Sequence, residues 1–331
     1  MWVGEIDVSD DDLVRRYWEA GREAEMFGRP FAVYWTLQSA MVAFQASSNS
    51  VEQHPIAAFV GDEIVGTNQV VLPVLDNRHL AYVEPLVRPA WRGRGIGSAL
   101  LEASFELARR QDRTTVMAEV PMAIDERSAG QAFAAKHGFS TGILDIHRVL
   151  DLPVDAHRLD ALAESAARHC HAYDIVLFDD AVPEDHLAGY CELNSVFNAE
   201  APKGDLVLEA EVWDAERVRS TEARFRLQGR RTCGALAVAR DGSVVGLSEL
   251  MAVEDDPEVG MQSGTLVSSK HRGHRLGMAL KVANLRRFQE RFAAVRRVHS
   301  WNAEENGPMV AINDTLGFRP VEHVAEMQRS L

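Results

Sequence analysis

The hydrophobic positions of this 331-residue chain change period along its length, and the changes occur in the same order twice. In the first half, Leu13, Tyr17, Trp18 and Ala20 recur at helical spacing, and Ser9 with Asp12 three residues later reads as a capping box opening that helix. A second helical stretch covers 35–45. After a polar loop over 47–53, two β-rich runs at 56–60 and 64–71 are joined by Gly61 and Asp62, which is hairpin chemistry. A strand follows over 80–87. Next comes a glycine-rich turn and a helix to about residue 111, with Leu100, Ala103, Leu107 and Ala108 inward and Glu102, Glu106 and Arg110 toward water. A strand at 115–120, a short helix at 129–136 and closing strands over 139–150 complete the set.

The second half has helical patterns at 158–169, 183–197 and 214–227, then a hairpin over 236–251 and a strand at 264–267. A glycine turn leads into a helix carrying Leu276, Leu280, Ala283, Phe288 and Phe292, followed by a strand at 295–301, a helix and closing strands. Strands alternating with helices in this way predict an α/β fold, a mixed sheet with helices on its faces, built twice. Asp151, Leu152 and Pro153 read as the boundary, giving domains at 1–152 and 153–331.

The letters repeat along with the pattern. AAFVGDEIVGTNQV, LVRPAWRGRGIGSALL and AFAAKHGF in the first half answer to LAVARDGSVVGLSEL, TLVSSKHRGHRLGMAL and AINDTLGF in the second. Gly66 and Gly246 are 180 residues apart, as are Arg92 and Arg272, and Gly138 and Gly317 are 179 apart. A solenoid unit runs at roughly 20 to 50 residues, so a repeat this long is a duplicated domain.

Composition adds bounds. The formal charge is −14, which argues against nucleic acid as a ligand, since phosphate backbones need a clustered basic surface. Three cysteines, Cys170, Cys191 and Cys233, show no CxxC spacing, so neither a disulfide framework nor a zinc site is expected. His169-Cys170-His171 lacks a visible third ligand, so no metal is assigned. The N-terminus has no basic start followed by an apolar core, and no run of about 18 apolar residues occurs, which predicts neither export nor a membrane span and a cytoplasmic location.

The turn Arg92-Gly93-Arg94-Gly95-Ile96-Gly97 lies between a strand and an amphipathic helix, where backbone N–H groups and the helix dipole favour a phosphate or pyrophosphate. No GKS or GKT follows, so it is not a Walker loop. It also lacks the last glycine of the dinucleotide fingerprint.

With that turn present twice, and an AxxxGF-like ending after each, both halves resemble the GNAT superfamily of N-acetyltransferases, whose signature is Arg/Gln-x-x-Gly-x-Gly/Ala after the fourth strand. Arg92, Gly95 and Gly97 match it; in the second half Arg272 and Gly277 match, and Arg275 stands at the middle glycine. The resemblance implies two GNAT-like domains, each a mixed, mostly antiparallel sheet flanked by helices. It also implies that acetyl-coenzyme A, as co-substrate, is held by Leu86, Val87, Arg92, Gly93, Arg94, Gly95, Ile96 and Gly97, and by Leu266, Val267, Arg272, Gly273, His274, Arg275, Leu276, Gly277 and Asn306. The pantetheine arm would lie between splayed fourth and fifth strands, here 80–87 and 115–120. The family usually has an Asn eleven residues before the Gly of a Gly-Phe pair and a proton-donating Tyr four before it. The second half offers Asn306 and Asn313 at these places and the first offers Arg127 and Ala134.

Acyl transfer to an alkylammonium group with pKa near 10 needs a base more than an acid, because a thiol with pKa near 8.5 leaves largely unaided. Glu84, with Tyr82 on the same strand face by period two, is the first candidate. Glu249, Asn302 and Asn313 are the others, although an Asn cannot itself carry the proton. The polar stretch from Trp301 to Asn306 favours the second half as the one doing chemistry. The expected function is transfer of acetyl to the amine of a small molecule or peptide. The alternative is a non-catalytic acyl-coenzyme A binding or scaffold protein with degenerate sites. The acceptor pocket is expected around 29–45 and 183–197, and the assembly is expected to be a monomer or homodimer without nucleic acid or membrane partners.

Overall fold

The computed structural model describes residues 1–124 and 128–331; Arg127 therefore lies outside the described residues. The chain forms two compact units. The first comprises Met1–Leu144 with Gly204–Val207 and Val324–Leu331, and the second Asp145–Lys203 with Leu208–His323.

The first unit begins with strand β1 (Trp2–Glu5) and helices α1 (Asp11–Met26) and α2 (Leu37–Gln45). Asp10, not Ser9, caps α1 by accepting from the N–H groups of Asp12 and Leu13. Ser9 is unavailable because its hydroxyl and its N–H both bond to Asp7 Oδ1. Strands β2 (Val51–Val60), β3 (Glu63–Pro73) and β4 (Leu80–Val87) run antiparallel in succession. Pairing extends the first of these back into the segment expected as a loop, since Val51 pairs with Pro73 and Glu52 with Leu72. Helix α3 (Ile96–Arg110), strand β5 (Thr115–Met122) and helix α4 (Ala129–Lys136) follow, and then β6 (Ser140–Asp151), a single strand where more than one was expected.

The second unit adds α5 (Ala156–Cys170), β7 (Tyr173–Asp179), α6 (Glu184–Ser195), α7 (Phe197–Glu200) and α8 (Ala215–Leu227). Strands β8 (Arg230–Ala239), β9 (Val244–Val253) and β10 (Asp256–Val267) then repeat the antiparallel run. Helix α9 (Leu276–Arg291), strand β11 (Arg297–Ala303), helix α10 (Gly307–Leu316) and strand β12 (Arg319–Ser330) end the chain. The short strands β1 and β7 escaped the sequence pattern.

The strand order in the first unit is β1-β2-β3-β4-β5-β12, and in the second β6-β11-β10-β9-β8-β7. Each unit thus includes a strand from the other half of the chain. The tail joins the first unit: Leu331 N–H bonds to Thr114 O, and Ala325 and Met327 enter the core formed by Leu100, Phe105, Val116 and Phe139. Residues 145–151 of β6 pair antiparallel with β11, and Leu150 enters the core of the second unit with Val298 and Phe288. Fully burying a Met or Leu side chain contributes roughly 1.5 to 3 kcal/mol, so these borrowed strands are held by their side chains as well as their ladders.

In each unit one sheet face carries the helix that follows the glycine turn. The other carries α1 and α2 in the first unit, where Val14, Tyr17, Ala40 and Phe44 pack, and α6 and α8 in the second, where Leu187, Tyr190 and Val218 pack, while α5 lies beside α9.

Candidate active site

Parallel strands β4 and β5 pair only at Leu80–Thr115, Ala81–Val116 and Tyr82–Met117. Beyond Tyr82 they part, leaving a wedge walled by the ends of both strands. Strands β10 and β11 do the same, pairing from Val259 to Met261 against Arg297 to His299 and then separating. The splay expected between fourth and fifth strands is therefore present in both units.

At the end of β4 the chain makes a 3₁₀ turn over Pro89–Trp91 and enters α3 through Gly95, which is left-handed at φ 82. A side chain there would be strained and would project into open space at the mouth of the turn. The N-terminus of α3 has no side-chain cap, so its first N–H groups and the positive end of the dipole are available to an anion. Gly97 has a different reason: a Cβ there would come within 3.1 Å of the Phe133 ring, so glycine lets α4 pack on the turn. Ile96 is buried in the core, and Leu86 and Val87 are half-buried along the last residues of β4.

The arginines of the turn are committed to the fold. Arg92 donates from Nε to Val87 O at 3.0 Å and from Nη2 to Ala24 O at 3.0 Å, and it lies over the Phe27 ring. It clips the end of α1 to the turn. Arg94 stacks on Trp91 and donates to Ala90 O, beside the positive-φ Gly93.

The second turn has the same frame with different occupants. Arg272 donates from Nε to Val267 O at 3.2 Å and forms an ion pair with Glu200 at 2.6 Å. Arg275 takes the left-handed position of Gly95, at φ 55, and its guanidinium is drawn to Ser165 Oγ on α5 at 3.0 Å. Gly273 is also left-handed, Leu276 is buried, and a Cβ on Gly277 would come within 2.9 Å of Ile312. His274 packs on Tyr173, whose hydroxyl bonds to His271 Nδ1. Leu266 is buried and Val267 half-buried.

Glu84 lies on β4 two residues past the last paired position, pointing toward α1. Its N–H bonds to Asn68 Oδ1 at 2.8 Å, and its carboxyl faces Tyr17, Tyr34, Glu25 and Arg29 from the helical side and Glu119 from β5. Crowding by protein raises the Glu84 carboxyl to about 8; Glu25 and Glu119 add like charge and Arg29 opposes. Glu84 and Glu119 both keep an open side toward water, which screens part of that shift. Burial, then Glu25, raises Glu119 in the same direction. Glu25 itself is ion-paired with Arg29.

In the second unit the carboxylate stands one strand over. Gln69 pairs with Glu84 across β3 and β4, whereas Glu249 pairs with Gly264 across β9 and β10. Tyr190 donates its hydroxyl to Glu249 at 3.1 and 3.2 Å, and burial raises the Glu249 carboxyl to about 7, with Tyr190 opposing and Glu222 adding to it. Tyr17 and Tyr190 are each the seventh residue of the first helix over their wedge. That correspondence falls outside the repeated letters and was invisible in them.

Asn302 and Asn313 belong to a different arrangement. Asn313 is fully buried; its Oδ1 accepts from Lys281 Nζ at 2.8 Å and its Nδ2 donates to Asn302 Oδ1, which also accepts from Ser300 Oγ. Both ends of the Asn313 amide are thus engaged, one by a buried lysine and the other by Asn302. Asn306 caps α10 through Met309 N–H. Ala134, at the tyrosine position of the first half, is buried in the core. The residues that sequence reasoning missed are Tyr17, Glu25, Arg29, Tyr34, Glu119 and Tyr190. Arg29 and Tyr34 fall within 29–45 and Tyr190 within 183–197, the stretches expected around the acceptor pocket, and Glu119 is placed by period two along β5; Tyr17 and Glu25 left no such signal. Among the described residues, no group of three or more His, Cys, Asp or Glu side chains could hold a metal ion, and no helix is long and apolar enough to cross a membrane.

Residues 12–139 match the model of the acetyltransferase (GNAT) family. No curated protein matches the chain. Among solved structures, a tandem GNAT protein from the clavulanic acid biosynthesis pathway is similar over 99% of this chain and 98% of its own, at 25% identity and a TM-score of 0.79. A GCN5-related N-acetyltransferase from Sphaerobacter thermophilus shares the fold over 99% of this chain and 95% of its own, at 17% identity and a TM-score of 0.63. A putative acetyltransferase from Pyrococcus horikoshii does so over 100% and 89%, at 14% identity and a TM-score of 0.57. Residues 12–139 thus match the GNAT acetyltransferase family, and the whole length of the chain is similar to a tandem GNAT protein.

Proposed function

We propose that the first unit transfers an acetyl group from acetyl-coenzyme A to the amine of a small molecule or peptide, with Glu84 as the base. The observation that carries this is the placement of a carboxylate with a raised pKa just past the point where β4 and β5 part, on the strand that leads into an uncapped helix N-terminus.

The open N–H groups of α3 fit a pyrophosphate, and the left-handed Gly95 keeps the approach clear. Bound there, acyl-coenzyme A supplies a thioester carbonyl. Glu84 takes one proton from the incoming ammonium group; the freed amine forms the N–C bond, the C–S bond breaks, and the electron pair leaves with sulfur. The second proton lost by nitrogen balances the thiolate, giving amide and free thiol. Crowding by protein, with like charge added by Glu25, held by Arg29, and by Glu119, keeps the Glu84 carboxyl basic enough to accept the proton.

A second reading, that the chain binds acyl-coenzyme A without turning it over, draws support from the buried Ala134 and the committed Asn313 at the tyrosine positions. Thiol release from acetyl-coenzyme A in the presence of a panel of amines separates the two. Gly95→Glu is expected to abolish coenzyme A binding at the first unit. Glu84→Gln is expected to keep binding and lose roughly 10²- to 10⁴-fold in turnover. Binding without turnover for any amine would leave the second reading.

A further inference from the structure

The two wedges differ in one respect that the repeat itself makes measurable. Gly264 stands at the pairing position that Glu84 holds in the first unit, opposite Glu249 as Glu84 is opposite Gln69. The space above it is filled: a Cβ on Gly264 would lie 3.6 Å from the ring of Phe197, the first residue of α7. The last residue of the same short helix, Glu200, reaches the glycine turn and pairs with Arg272 at 2.6 Å. At the corresponding place in the first unit, Arg92 meets a neutral carbonyl, Ala24 O.

We propose that α7 is a built-in plug that keeps acyl-coenzyme A out of the second unit. Its phenyl ring takes the place that the Glu84 side chain holds beside the wedge of the first unit. Its carboxylate brings a negative charge to the turn that would otherwise receive a pyrophosphate. Two further features act in the same direction. Arg275, which could have offered a cation, is drawn away by Ser165, and Tyr190 holds the Glu249 carboxylate. The consequence is one acyl-coenzyme A per chain, with the second unit held in reserve until α7 is displaced.

The inference rests on the reading that the glycine turns of this chain receive coenzyme A. Calorimetric titration of the full chain with coenzyme A is expected to give one site, lost in Gly95→Glu and untouched by Gly277→Glu. In Phe197→Ala/Glu200→Gln a second site is expected, and Gly277→Glu should remove it. The milder Glu200→Gln should show that second site at least ten-fold weaker than the first, and it decides alone if the double variant does not fold. Two sites in the unaltered protein would overturn the plug, as would a single site in the folded variants. No binding by any of these proteins would instead overturn the coenzyme A reading, and the plug with it.

Discussion

Crowding by protein raises Glu84 to about 8 although one side of its carboxyl stays open to water, and below that value it already holds the proton it would need to accept. The acetyl-transfer rate, as kcat/KM, should therefore climb with pH toward about 8, with the open side of the carboxyl easing the limb downward. Glu119→Gln removes a like charge and should move that limb to lower pH; Glu84→Gln should abolish it. A pH profile of the three proteins checks both. Lys281 carries the opposite sign. Burial lowers its amine from 10.5 to about 7. Below about 7 it is charged in the folded and unfolded chain alike, and the desolvation cost is fully present. Between about 7 and 10.5 only the unfolded chain holds the extra proton, so stability rises with pH, by at most about 5 kcal/mol. Leu101 stands at the corresponding place in the first half, 180 residues earlier. Lys281→Met should therefore flatten the rise, as read from denaturant midpoints at pH 6 and pH 9. Glu84 was legible at this scale because it alternates along a strand whose ends the sequence marked. The pairing of Lys281 with the candidate Asn313 was not, because two polar residues 32 apart in the chain satisfy one another only after two helices have packed.

At the scale of elements, the glycine turns were the most legible feature, since left-handed residues ahead of a helix leave a mark in the letters. Helix caps were less so. Asp7, Ser9 and Asp10 compete for the same role, and proximity decides it: Ser9 is tied to Asp7, which leaves Asp10 to close α1. Asp10→Ala should cost about 1 kcal/mol, within the usual 0.5 to 2 for a lost cap. A matched Ser9→Ala should cost less than about 0.5 kcal/mol, since that side chain holds a surface loop residue; thermal melts of the two resolve the difference. Several strands, β2, β3 and β10 among them, are longer than their apolar stretches, because ladder partners such as Val51 and Pro73 extend a strand beyond them, whereas β4 has the bounds read from the sequence. The wedges themselves are pairing events between strands separated by a helix, and only the resemblance to a family anticipated them.

Over the whole molecule, duplication was readable and the exchange of strands was not, because nothing in the letters of β6 or β12 says which copy of a repeated sheet each will join. Removing residues 324–331 should expose the free edge of β5 and take Ala325 and Met327 from the first core. Hydrogen exchange is expected to accelerate over Thr115–Met122 while Arg297–Ala303, paired with β6, stays protected. Equal loss of protection in both strands would contradict this division. The same connectivity sets an order of events at the ribosome. Residues 1–144 emerge before the second unit, yet their sheet lacks β12 until residues 324–331 leave the exit tunnel, whereas the second unit finds its borrowed strand already waiting. A nascent chain stalled before residue 324 thus carries an open β edge that a chaperone can recognise, and the part of the protein made first is the part completed last.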